Sequence, residues 1–120
     1  MNRHPWPVSW FRLLCALPWL ALGCVYLEAL LAALTLGHWP IPSLNDPKDL
    51  QTAPLHVLST LVLVSVCPGV LVLCVVGISG WSTLRSRSSW SWLGFFVLGH
   101  VLLVASGYVD PGRVWYWWMD

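Results

Sequence analysis

Charge is what this chain lacks. Its 120 residues include six Lys or Arg and five Asp or Glu, 9% charged in all, against about 25% in an ordinary soluble domain. So little charge cannot cover a surface of this size in water. A formal net charge of +1 also supplies neither a basic field for nucleic acid nor a polybasic lipid anchor. Paired cysteines are lacking too. Cys15, Cys24, Cys67 and Cys74 all lie in apolar stretches with no C-x-x-C pair. They read as buried thiols behaving as small hydrophobes, not as a disulfide framework. There is no nucleophile elbow, glycine-rich phosphate loop, H-E-x-x-H helix or internal repeat, so no enzymatic activity is expected.

What the chain does have is long apolar runs, roughly Leu13–Leu36, Leu55–Ile78 and Trp90–Tyr108. Each approaches or exceeds the ~18–20 residues a helix needs to cross a bilayer core. Residues 1–120 are therefore expected to form a single integral membrane domain with spans at about 10–36, 55–79 and 90–108. The fold class is all-α: a three-helix transmembrane bundle with a short interfacial loop segment and an aromatic C-terminal tail. Arg3 and Arg12 ahead of an apolar run would also suit a cleaved signal. The run continues past Cys24 to Leu36, however, so a retained helix is expected.

Tryptophan is in excess, with ten residues. Trp6, Trp10, Trp39, Trp81, Trp90, Trp92, Trp115, Trp117 and Trp118 lie at or near the span ends, where an apolar ring with an N–H settles at the headgroups. Only Trp19 lies within a span. Arg3 and Arg12 flank the first span and Arg85 and Arg87 sit between the second and third, whereas Lys48 and Arg113 occupy the other side. This bias predicts a cytoplasmic N-terminus and an extracytoplasmic C-terminus.

Several local signals punctuate the helices. Pro18 and the Cys67-Pro68-Gly69 run predict bends. Gly37 ends the first helix, and Thr52 with Pro54 opens the second. Ala29 and Ala33 allow close helix approach. In the outer loop, Pro40 and Pro42 predict an extended path, and Asp46-Pro47 an N-cap with N1 proline starting a short surface helix. Asp110-Pro111-Gly112-Arg113 reads as a turn, after which Trp115-Tyr116-Trp117-Trp118 lies flat in the interface. Loop and tail either dock together as a small cap or act as independent interfacial anchors. Trp39, Pro40, Pro42, Asp46, Lys48, Asp110, Arg113, Trp115, Trp117 and Trp118 form the expected interaction surface.

Two ionisable groups, Glu28 and His100, fall inside spans. Counted from the outer helix ends, both lie ~12–13 Å deep. They are expected as an intramembrane polar pair, since a lone charge there costs ~3 kcal/mol or more. Ser59, Thr60 and Ser65 could add hydrogen bonds near this level. The pair is either a structural clasp or a proton-handling site; alternatively, Glu28 is neutral and bonded to a backbone carbonyl or Tyr26. His38, Asp46, Asp49 and His56 match no zinc spacing. His56 and His100 differ in depth, which does not suit a bis-histidine haem. No metal or cofactor is expected.

Gly37-His38-Trp39-Pro40-Ile41-Pro42, Asp46-Pro47-Lys48 and Asp110-Pro111-Gly112-Arg113 resemble loops of small uncharacterised bacterial multi-pass membrane proteins. The resemblance implies residence in a bacterial inner membrane. It carries over no activity and no residue's role. The expected function is that of a small accessory or interaction subunit working through helix–helix contacts and an extracytoplasmic aromatic cap. Its partners would be the lipid bilayer and a membrane protein or further copies of itself, with no nucleic acid. The alternatives are a proton- or ion-coupled component using Glu28 and His100, and a membrane enzyme or cofactor-binding protein.

Overall fold

The computed structural model describes residues 8–79 and 87–120. Arg3, Trp6, Trp81, Arg85 and the turn at 80–86, used above for orientation and boundaries, lie outside those residues. The described residues form α1 (Val8–Leu36), α2 (Ala53–Ser79), α3 (Arg87–Val109), a 3-10 turn (Pro111–Arg113) and a short α4 (Val114–Trp118), with a non-helical loop at 37–52. No strand occurs among the described residues. The first three helices are long and apolar enough to cross a membrane. Each is apolar on all sides, as suits a helix whose outer surface meets lipid.

Helix ends follow local chemistry. Gly37 stops α1 by adopting φ +74°, a conformation that costs glycine nothing, and its N–H donates to the Ala33 carbonyl at 2.9 Å. Thr52 does precede α2, and its carbonyl accepts from the Leu55 and His56 N–H groups at 2.8 and 3.0 Å. Its hydroxyl, however, is buried without a hydrogen bond, so the expected side-chain cap is not made. Asp46 does cap a turn, its Oδ1 accepting from the Lys48 N–H at 2.8 Å. The turn does not propagate into the expected short helix. Helical structure continues across both Pro18 and Pro68.

The first helix occupies the middle. It packs on α2, α3 and α4, whereas α2 and α3 hardly touch among the described residues. Its inner face runs through Cys15, Pro18, Ala21, Val25, Glu28, Ala29 and Ala32, all fully buried. Their three- and four-residue spacing is one helical stripe, and its small members bring neighbouring backbones close. Ala33, turned further round, is half-buried.

Trp19 keys α1 to α3. A side chain at Gly99 would meet the Trp19 indole at 2.5 Å, so the ring lies directly over that glycine. The indole stacks on Phe95 with centroids 4.8 Å apart and donates to the Phe95 carbonyl at 2.9 Å. That bond satisfies the one polar atom of a tryptophan placed inside a span. Gly99→Val is expected to displace Trp19 and destabilise the chain by about 1–3 kcal/mol, the usual range for overpacking. Reversible unfolding of the full chain in mixed micelles would measure it.

Candidate functional site: a buried carboxylate beneath an aromatic cap

Glu28 is completely buried, eight residues before the end of α1. Both of its oxygens are occupied. His56 Nδ1 lies 3.0 Å from Oε1, Ser59 Oγ lies 2.9 Å from Oε2, and Trp118 Nε1 donates to Oε2 at 2.9 Å. With Glu28 ionised, His56 donates from Nδ1. The Trp118 N–H is shared with Ser59 Oγ at 3.1 Å. The Ser59 proton also has the His56 carbonyl within reach, at 2.9 Å. Partners thus come from α2 and α4 and converge on α1. The imidazole and indole of His56 and Trp118 pack at 5.0 Å between centroids.

The expected Glu28–His100 contact is not formed. Glu28 turns to α2, and His100 Nδ1 is buried without a hydrogen bond, its ring resting on Phe96 at 4.8 Å. The depth count took the outer ends of α1 and α3 as level, and they are not. Trp19 lies against Phe95 and Gly99. Glu28, nine residues further along α1, therefore stands nearer the cap than His100, one to five residues further along α3. Glu28 lies about 12 Å below the end of α1 and His56 only about 5 Å below the start of α2, at 1.5 Å per residue. Their contact means that α1 rises roughly a turn above α2 on the cap side. The loop and tail fill that step. Of the hydroxyls expected near this level, Ser59 alone reaches the carboxylate; Thr60 and Ser65 donate to the carbonyls of His56 and Leu61 at 2.8 and 2.7 Å.

Loop and tail form one cap. Trp39 Nε1 donates to the Gly112 carbonyl at 2.8 Å, and Trp117 Nε1 donates to the Asn45 carbonyl. The Ser43 N–H meets the Asp120 side chain, and Lys48 Nζ donates to the Asp120 main-chain carbonyl at 2.9 Å. Gly112 is needed twice over. It has φ +74°, and a side chain there would meet the Trp39 ring at 3.2 Å. Asp110 organises the tail, its carboxylate accepting from the Trp115 and Tyr116 N–H groups at 2.7 and 3.1 Å. A carboxylate at these orphan donors suits the positive end of a short helix.

The tail therefore does not lie flat. Val114, Trp115, Trp117 and Trp118 are buried, and Tyr116 faces out. Trp115 Nε1 donates to Ser106 Oγ of α3 at 2.9 Å, beside the buried Tyr26 hydroxyl. Of the expected interaction surface, Pro40, Trp115, Trp117 and Trp118 are interior, and Pro42, Asp46 and Asp110 are half-buried. Trp39, Lys48 and Arg113 remain exposed. The spacing of Val114, Trp115, Trp117 and Trp118 at i, i+1, i+3 and i+4 was a readable sign of one inward helical face. The part played by His56 carried no such sign.

His38 turns to its neighbour's carbonyl, Trp39 O, at 2.9 Å, while His56 is held by Glu28. No group of three His, Cys, Asp or Glu side chains among the described residues is placed to hold a metal ion. An open cleft of about 480 Å³ lies in the cap, lined by Ser43, Leu44, Asn45, Asp46, Asp49, Leu50 and Asp120. It is separate from Glu28.

No family model, curated protein or solved structure matches the chain.

A buried donor left unpaired costs about 1–3 kcal/mol. Glu28→Gln keeps a carbonyl oxygen for Ser59 and Trp118 and is expected to cost under about 2 kcal/mol. Glu28→Leu leaves the His56 donor without an acceptor, whereas Trp118 keeps the Ser59 oxygen and Ser59 the His56 carbonyl. It should cost about 1–3 kcal/mol, more than Glu28→Gln. Denaturant unfolding in detergent, followed by tryptophan fluorescence, would read the difference.

Proposed function

We propose that this chain is a small accessory or interaction subunit of a membrane assembly, acting through helix–helix contacts in the bilayer and through a preformed cap. The observation that carries this reading is the saturation of Glu28 by His56, Ser59 and Trp118 of its own chain. A carboxylate held by three donors and fully buried is a clasp. It leaves neither Glu28 oxygen open to a substrate. What the chain offers outward is apolar, including Leu34, Leu44, Tyr108 and Met119, all more than two-thirds exposed.

The reading extends to placement. The cap, bearing Lys48 and Arg113, faces away from the cytoplasm, and Arg12 and the basic residues at 85 and 87 face it. The host membrane is a bacterial inner membrane, as the loop resemblance implies. Partners are a membrane protein or further copies of the chain.

One contact favours a second reading, that of a proton-coupled component. Glu28 touches His56, whose side chain is 14% exposed, at 3.0 Å. That gives a carboxylate–imidazole pair with one edge toward the cap surface.

The two readings separate in one set of variants. As a subunit, the chain keeps its co-purifying membrane partner in Glu28→Gln and loses it when residues 114–120 are deleted. Vesicles containing the wild type should hold an imposed pH gradient as long as protein-free vesicles do. Gradient loss that disappears in Glu28→Gln and His56→Gln, with folding intact, would establish the second reading instead.

A further inference from the structure

We infer that the end of the bundle away from the cap binds one anionic lipid headgroup, whose phosphate is held by Arg12 from its seat on Trp92. The inference goes beyond the subunit reading and does not depend on it. The distribution of charge is the first observation. All five acidic residues, Glu28, Asp46, Asp49, Asp110 and Asp120, belong to the cap or lie beneath it. Residues 1–27 and 50–109 contain none. The segments that open α1 and α3 at the other end carry four basic residues, Arg3, Arg12, Arg85 and Arg87. A net charge of +1 conceals this separation. Along α1 the first carboxylate after Arg12 is Glu28, sixteen residues on and so about 24 Å away. It is already enclosed by its own partners. The counterion of Arg12 therefore has to come from outside the chain.

The second observation is where Arg12 stands. It is exposed, and its guanidinium carbon lies 5.6 Å from the centre of the Trp92 ring, across the groove between α1 and α3. That ring is itself held. Trp92 meets Phe95 edge-on at 5.6 Å, and Phe95 stacks on Trp19 at 4.8 Å. An aromatic column in the groove thus fixes the seat of the cation. Depth agrees with this placement. Arg12 lies two residues inside the apolar span of α1, and Trp92 three inside that of α3. Trp10 and Trp90, both more than half exposed, mark the same level as that of the headgroups.

A guanidinium resting on an aromatic face keeps its charge and its fork of N–H donors, and that fork matches phosphate oxygens with two parallel bonds. Dissolved phosphate shares this chemistry. A seat at the headgroup level, beside rings that meet acyl chains, selects the phosphate that is already there. A lipid of net negative charge fits better than a zwitterionic one, whose own ammonium competes for its phosphate. The long stem of Arg12 spans the remaining distance, since such side chains bury their methylenes and lift the charged head to the interface.

The test places the full chain in micelles with equal amounts of phosphatidylglycerol and phosphatidylcholine, and native mass spectrometry counts the lipids it retains. The wild type should keep phosphatidylglycerol in preference. Arg12→Gln should cut that preference about fivefold, the weight of one basic side chain at a membrane surface. Arg12→Lys, which keeps the charge without the planar fork, should fall between the two. Arg113→Gln, at the cap, should stay within about twofold of wild type. Circular dichroism in phosphatidylcholine alone checks that each variant is folded. Should Arg12→Gln misfold, the wild-type preference and the Arg12→Lys value still decide. Equal retention of both lipids by the wild type, a folded Arg12→Gln with unchanged preference, or an equal loss in Arg113→Gln would overturn the proposal. So would displacement of the lipid by millimolar inorganic phosphate, which would assign the site to a dissolved anion.

Discussion

A carboxyl group shut away from water must be met by hydrogen-bond partners on every open side, and the rest of this molecule is arranged around that requirement. Glu28 lies on the inner face of the central helix, at 0% exposure. Its three donors come from two other elements. Two of them are fixed by α2, and the third arrives from the far end of the chain, ninety residues on. The polar centre therefore unites α1, α2 and α4 in one contact. In a bilayer, where apolar surface has little to gain by leaving lipid, such directional bonds decide which helices stay together.

The cap follows from the same demand. For Trp118 to reach Glu28, the tail must reverse after α3 and fold back over the bundle. Asp110, Gly112 and Arg113 accomplish the reversal with left-handed backbone. The Asp110 carboxylate then holds the first amides of α4. Trp39 and Trp117 lock the loop to the tail through bonds to main-chain carbonyls. The indole N–H groups of Trp19, Trp39, Trp115, Trp117 and Trp118 all have acceptors inside the chain. Tryptophan here serves as a hydrogen-bonding rivet as much as an interfacial anchor.

The bundle is asymmetric as a result. The central helix meets every other helix; Trp19 ties it to α3 at Gly99 and Phe95, and the Trp115–Ser106 bond ties α3 to α4. That arrangement leaves α3 with a wide lipid-facing side, and His100 Nδ1 has no hydrogen bond among the described residues. Polar satisfaction is thus uneven: complete around Glu28, unmet at His100.

The three apolar helices, the glycine stop after α1, the turn at 110–113 and the singular position of Glu28 were all legible in the sequence, because each depends on local chemistry or on the thickness of a hydrocarbon layer. What the carboxylate touches was not. Sequence counting assigns depth only from helix ends, and here α1 overtops both neighbours. Trp19 lies level with Phe95 and Gly99, which leaves His100 below Glu28, while the start of α2 brings His56 beside it. Nor could composition say that tail tryptophans turn inward; their ring chemistry suits an interface and a core equally. Only the folded chain, by bringing an indole N–H from the last turn onto a carboxylate in the first helix, decided between the two.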